Sequence, residues 1–195
     1  QLAKRFGNIG RRMWYMCQGE DPDEVHLIVP PPKSIGHGKV TPPKLNNKDK
    51  ILTYLSHMVE KVSIRLRRNK LMAQHFFVGV RCHDWGWLGG KYRLKTPTQD
   101  SRDIYQLCES LMEEEWQGQG IGQVQITALD PHKQGQQLDL FDQEDLQRQR
   151  TNHIMDIINE RFGEFTLAPA RLLNRTKAPD VIAPAWKPTG PRRSC

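Results

Sequence analysis

The stretch Gln74-His-Phe-Phe-Val-Gly-Val-Arg-Cys-His-Asp-Trp85 alternates. Phe76, Val78, Val80 and Cys82 fall on one side, and His75, Phe77, Gly79, Arg81 and His83 on the other. A period of two predicts a strand, because successive side chains point to opposite faces. Gly86, Gly89 and Gly90 follow and predict a turn. Lys91-Tyr-Arg-Leu-Lys95 then alternates again before Thr96, with Lys91, Arg93 and Lys95 on one face and Tyr92 and Leu94 on the other. The segment therefore predicts a β-hairpin with an apolar face and a strongly basic face. The apolar face needs a cover, and the basic face stays open to a polyanion.

Two helical patterns flank the hairpin and supply that cover. From Asn47 to Arg68, Ile51, Leu55, Val59, Val62 and Leu66 form an apolar stripe. Asn46 or Asn47 serves as N-cap, and Arg65-Leu-Arg-Arg-Asn-Lys70 suits the negative end of the helix dipole. From about Asp100 to Trp116, Ile104, Leu107, Cys108, Leu111 and Met112 form a second stripe, with Thr98 or Asp100 as cap. Glu113, Glu114 and Glu115 at its end point in different directions, which suits a solvated surface better than a metal site.

Lys33 to Val40 reads as a strand whose two glycines let a partner approach the backbone, or as loop punctuation, and Pro42-Pro43 ends it. Gln119 to Leu129 reads as a last strand, with Ile121, Val124, Ile126 and Leu129 as its apolar content. The order βαββαβ predicts an α+β fold: one four-stranded sheet with two helices on one face.

The rest of the chain is appended to this unit. Residues 1–18 predict a short amphipathic helix carrying Phe6, Ile9, Met13, Trp14 and Cys17, weakened by Gly7 and Gly10. Residues 19–32 read as a linker ending in Pro30-Pro-Pro32. A C-terminal helix is expected from Leu146 to Phe162 within residues 146–173, with Ile154, Met155, Ile158 and Phe162 on one side and Gly163 as its stop. Residues 174–195 are rich in Pro, Lys and Arg and read as a flexible tail. Gln136-Gln-Leu-Asp-Leu-Phe141 places large apolar residues in Gly/Gln-rich surroundings, as either a late core contact or an exposed docking peptide.

Composition narrows the function classes. The chain has 195 residues, 37% of them hydrophobic, and no apolar run reaches the ~18 residues a membrane span needs. The four cysteines are scattered and form no CxxC pair, which argues against structural zinc or a disulfide framework and for a reducing, cytoplasmic compartment. Gln1 rather than Met opens the chain, which reads as a fragment. Net charge is +7, but residues 33–95 hold fourteen Lys and Arg against Asp49, Glu60 and Asp84. A local excess of that size points to nucleic acid. His83 and Cys82 point to opposite faces, and no other arrangement spells a nucleophile with a base, so neither a catalytic residue nor a metal set is predicted.

Several segments resemble the C-terminal half of a bacterial Y-family translesion DNA polymerase. Arg5-Phe-Gly…Gly10…Trp14…Gly19-Glu-Asp-Pro22 resembles the end of the family's thumb domain, which makes residues 1–18 a thumb remnant. Pro32-Lys-Ser-Ile-Gly-His37 resembles the start of its little-finger domain. Leu66-Arg-Arg68, Lys95-Thr-Pro-Thr98 and the element order match that domain over residues 33–131. Asp156-Ile-Ile-Asn-Glu-Arg-Phe-Gly163 resembles the helix that follows it.

The resemblance implies a non-catalytic region that lies along the major-groove side of double-stranded primer-template DNA. The DNA-binding candidates are the strand cations Arg81, Lys91, Arg93 and Lys95, with His83. The backbone around Lys33, Ser34, Ile35, Gly36, His37 and Lys39 joins them. It also implies that the palm carboxylates and their Mg2+ belong to a part not included here, so the chain itself should neither need a cofactor nor extend a primer. Gln137, Leu138, Asp139, Leu140 and Phe141, within residues 132–145, resemble the pentapeptide that docks on the bacterial sliding clamp. The expected partners are primer-template DNA and the clamp, with other mutagenesis proteins in addition and no membrane. The setting is the nucleoid and the SOS response. Two other readings are a catalytically inactive homologue acting as adaptor in a mutagenesis complex, and an unrelated RNA-binding split-βαβ domain that stacks bases on Phe77 and Trp85.

Overall fold

The computed structural model describes residues 1–21, 31–83, 86–133 and 143–173, the last span without the side chains of 143–145. In chain order the elements are α1 (Leu2–Cys17), β1 (Ile35–Leu45), α2 (Lys48–Arg68), β2 (Leu71–Cys82), β3 (Gly86–Thr98), α3 (Ser101–Glu114), β4 (Ile121–Ala128), β5 (His132–Lys133) and α4 (Gln143–Phe162). A 3-10 turn, Ala170–Leu172, follows. Residues 1–31 and 32–195 form two units. In the first, Gly7 leaves helical geometry at φ 59° and kinks α1. Phe6, Ile9, Met13 and Trp14 of α1 are exposed.

The second unit is the expected βαββαβ. Its sheet runs β1-β4-β2-β3, every neighbouring pair antiparallel. Each βαβ unit is therefore split by one inserted strand: β4 separates β1 from β2, and β2 separates β3 from β4. The two-residue β5 adds a fifth strand beside the start of β2.

The helix boundaries follow from their caps. Asn47 Oδ1 accepts the Lys50 amide at 2.9 Å and opens α2. Asp100 Oδ1 accepts the Arg102 amide at 2.8 Å and opens α3. Both helices cover one face of the sheet. Phe76, Val78, Val80, Ile104, Ile126 and the α2 stripe are fully buried there, each large side chain contributing about 1.5–3 kcal/mol by leaving water.

Three expectations are corrected. First, β1 does not end at Pro42-Pro43 but runs on to Leu45, across a register shift between Val40 and Leu45. It is an edge strand, and an edge tolerates proline because no neighbour needs the missing N–H. Second, Gly86, Gly89 and Gly90 lie inside β3 rather than in the turn. Third, Glu115 is more than solvated surface. It accepts the Gly89 amide at 2.8 Å and the Tyr92 hydroxyl at 3.1 Å, tying the end of α3 to β3. Burial, and then the Glu115 carboxylate, push the Tyr92 hydroxyl up to about 12.

α4 buries its apolar side only in part: Ile154 and Phe162 are exposed, and Met155 and Ile158 are half-buried. Polar contacts hold it: Arg67 grips Asp156 through two bonds of 2.6 and 2.8 Å, and Asn152 reaches Asp100 at 3.2 Å. Gly163, at φ 112°, stops the helix as expected. The chain then crosses the far side of α2, where Glu164 meets Lys61 at 2.6 Å and Phe165 packs edge-on against His57 at 4.8 Å. That cover explains why Ser56, His57, Glu60 and Ser63 are buried outside the predicted stripe. The tail, residues 174–195, lies outside the described residues.

Gly89 is where this backbone can least accept a side chain. It sits at φ 92°, and an added Cβ would stand 2.3 Å from the Val78 carbonyl oxygen. Gly90 has ordinary φ and open space beside it. Gly89→Ala is expected to destabilise the domain by about 1–3 kcal/mol, read as a lowered Tm, whereas Gly90→Ala leaves Tm nearly unchanged. Equal effects of the two substitutions would contradict this account.

Candidate nucleic-acid interface

Residues directly opposite one another on paired strands share a face, so the register maps the side of the sheet away from the helices. One row there is Gly36, Thr127, Phe77 and Lys91. The next is Gly38, Gln125, Gly79 and Gly89, and the third is Val40, Gln123, Arg81 and Trp87. Arg93, opposite His75, extends the face along β3. Arg81, Lys91, Arg93 and Lys95 are all exposed and make no ion pair among the described residues. Lys91, Arg93 and Lys95 recur at every second position of β3, roughly 7 Å apart. His83 is exposed at the end of β2, close to Gly122.

The helix cations are used differently. Arg67 binds Asp156, Lys61 binds Glu164, and Arg65 donates to the Gly36 carbonyl at 3.0 Å. The basic excess seen in the sequence thus divides: Lys61, Arg65 and Arg67 of α2 are tied into contacts within the domain, and Arg81, Lys91, Arg93 and Lys95 stay on the open face.

β1 contributes main chain rather than side chains. Its alternation turns Ile35, His37 and Lys39 toward the helices, His37 opposite the buried Ile126. Ile35 and Lys39 are each only 7% exposed, and Lys39 Nζ lies 6.0 Å from the centre of the Tyr54 ring. The contact expected from this segment is through its backbone, and these three side chains point away from the open face. The face of β1 that remains is Gly36, Gly38 and the exposed Val40, with exposed Lys33 and Ser34 ahead of them. Ser34, Gly36, His37 and Gly38 of this segment, with Gln123, Gln125 and Thr127, line an open polar groove of about 450 Å3.

A carboxylate also sits beside the basic row. β2 shifts register between Ala73 and His75, which moves burial from Leu71 and Ala73 to Phe76 and Val78. Asp130 serves the amides of this irregularity: Oδ1 accepts Gln74 N at 3.1 Å and His75 N at 2.9 Å, and Oδ2 lies 2.7 Å from His75 Nδ1. Burial works to raise the Asp130 carboxyl, but these bonds outweigh it and hold it below the usual carboxylate range. No local pattern signals this pairing, whose partners lie 55 residues apart.

Phe77 is half-buried on the open face and meets the exposed Trp87 edge-on, ring centres 5.8 Å apart. Trp87 was not among the residues expected there, because β3 was taken to begin later. Trp85 and the whole segment Gln137, Leu138, Asp139, Leu140 and Phe141 lie outside the described residues.

Helices on one side and a cationic, partly aromatic surface on the other define an α+β domain with one free sheet face. Residues 32–140, more than half of the chain, match the impB/mucB/samB family C-terminal domain, and the chain belongs to that family. It is 29% identical over 182 residues to DNA polymerase IV 2 of Bacillus subtilis (strain 168), covering 88% of this chain and 43% of that protein. It is 26% identical over 167 residues to the putative UV-damage repair protein UvrX of the same strain, covering 83% and 40%. A solved complex of the beta-clamp processivity factor and the little finger domain of PolIV aligns with 55% of this chain and 98% of that one, at 14% identity and a TM-score of 0.45. The chain thus spans about two fifths of the length of these curated relatives. Family membership overturns the unrelated RNA-binding reading. No helix among the described residues is long and apolar enough to cross a membrane.

The Asp130 carboxyl makes stability pH-dependent in a defined direction. A carboxylate held below its unfolded value of ~3.9 adds stability above that pH and loses it as pH falls through the folded value. Asp130→Asn keeps an acceptor for the two amides and removes only the charge. It should lower stability at pH 7 by less than about 1 kcal/mol, because the site is partly exposed, and the gap to wild type should close below pH ~4. Urea titrations at several pH values would read this, and a gap that widens in acid would refute it.

Proposed function

We propose that this chain is the non-catalytic, DNA-gripping C-terminal region of a Y-family damage-bypass DNA polymerase, and that it tethers that enzyme to the sliding clamp. The observation that carries the reading is the row Lys91, Arg93 and Lys95 with Arg81, exposed on the sheet face opposite α2 and α3. Cations on a rigid strand meet phosphates without reading bases, so they fix position and leave sequence unselected. The groove beside Gly36 and Gly38 supports close backbone approach on the other edge of the same face. Relatives named DNA polymerase IV support an active parent rather than an inactive adaptor.

Catalysis and its Mg2+ would then belong to a palm domain, and this chain needs no cofactor for its own part. The cytoplasm and its nucleoid are the corresponding setting. Arg93→Ala should weaken binding to all duplexes alike and flatten the slope of log K against log salt by about 0.9. Affinity indifferent to salt, or strong for a single sequence, would defeat the proposal.

Clamp docking rests on Gln137-Leu-Asp-Leu-Phe141 and its position just after the domain. Leu140 and Phe141 would be the apolar anchors, and Gln137 would fix the register through its amide, which both donates and accepts. A peptide this short reaches only about micromolar affinity, near −8 kcal/mol. That suffices when DNA and clamp are held together, since tethering raises effective concentration. Leu140→Ala with Phe141→Ala should abolish clamp pull-down and leave Tm almost unchanged. A large fall in Tm with clamp binding intact would mean that these residues belong to the core.

A further inference from the structure

We infer that Phe77 and Trp87 form a stacking platform for an unpaired DNA base, placing a single-strand site on the same sheet face as the phosphate row. The inference rests on the DNA-gripping reading and adds a second kind of ligand to it. Both rings stand on the helix-free side, Trp87 directly across from Arg81 and Phe77 directly across from Lys91. Trp87 is 41% exposed, although a large apolar ring gains by leaving water.

The pair is built rather than incidental. Phe77 leans over Gly79, where an added Cβ would stand 2.9 Å from its Cζ. Phe77 then braces Trp87 edge-on, with ring planes at 70°. A braced indole has lost part of its side-chain freedom before any ligand arrives, which lowers the ordering cost of binding.

Charge complementarity selects the occupant. An aromatic face among arginine and lysine suits a strand whose bases stack and whose phosphates pair with cations. Bases within a duplex are already stacked on both faces, so along the length of a held duplex it is an unpaired base that can use the indole. The site should therefore engage a single-stranded stretch that adjoins a duplex held along Lys91, Arg93 and Lys95.

The test uses the full chain and fluorescence anisotropy with three probes: a blunt duplex, the same duplex with a thymidine overhang, and the duplex with an abasic overhang of equal length. The thymidine overhang should tighten binding about tenfold over the abasic one, the size expected for one or two stacked bases. Trp87→Ala should erase that gain and leave blunt-duplex affinity and its salt slope unchanged, while Trp87→Phe keeps much of it. Tm of each variant checks folding. An equal gain from the abasic overhang, an undiminished gain in Trp87→Ala, or an equal loss on blunt duplex would overturn the platform. Salt-insensitive blunt-duplex binding would instead sink the phosphate reading, and the base-dependent gain is measured separately from it.

Discussion

Strand β2 is paired on both sides, by β4 and by β3, and this fixes which of its side chains can meet solvent. Phe76, Val78, Val80 and Cys82 go under the helices, and His75, Phe77 and Arg81 go outward. A slip of one residue would bury Arg81 and expose Phe76, so the hydrophobic set enforces the register. Everything on the open face inherits its place from that constraint. Lys91 is where it is because it lies opposite Phe77, and Trp87 because it lies opposite Arg81.

The register irregularity between Ala73 and His75 sharpens the point. Without it, burial of Leu71 and Ala73 would continue on odd positions and turn Phe77 and Arg81 inward. The shift leaves amides that the ladder does not serve, and a carboxylate from beyond β4 serves them. Asp130 therefore belongs to the folding of the central strand as much as to the surface. Its negative charge beside the basic row is a consequence of satisfying two main-chain donors of the central strand.

The parts legible in the sequence were those set by local rules. Period-two alternation gave β2 and the basic half of β3, and the apolar stripes gave α2 and α3 with their caps at Asn47 and Asp100. What escaped depended on partners far along the chain. Pro42 and Pro43 read as a stop because nothing local says that β1 is an edge. The glycines of β3 read as a turn because their use, at Gly89, is to let backbone, Val78 and Leu111 come close. The second buried side of α2 carries His57, Glu60 and Ser63, a polar set that advertises water. The return of residues 163–172 across it, with Ser101 of α3 bonded to Glu60, makes that side interior. On α4 the apolar residues repeat helically, but the bond of Arg67 to Asp156, which joins it to α2, is one that local periodicity does not show.

The same long-range logic explains how one sheet face can hold both cations and an aromatic pair. Three glycines, Gly38, Gly79 and Gly89, share a row between the Phe77–Lys91 row and the Arg81–Trp87 row. A row without side chains would leave a trough, and Phe77 partly fills it by lying over Gly79 toward Trp87. A larger residue at 79 would push Phe77 upright and part the two rings. At the β1 end nothing comparable lies over Gly38, and the row stays open as the polar groove lined by Gln123, Gln125 and Thr127. The face therefore has two textures along its width: bare backbone with amide side chains on β1 and β4, and braced rings with cations on β2 and β3. A uniform duplex contact would need only charge and clearance, which the first texture and the β3 cations already supply. The rings answer a different geometry, an exposed flat surface, and that difference distinguishes base stacking from phosphate contact on a single sheet.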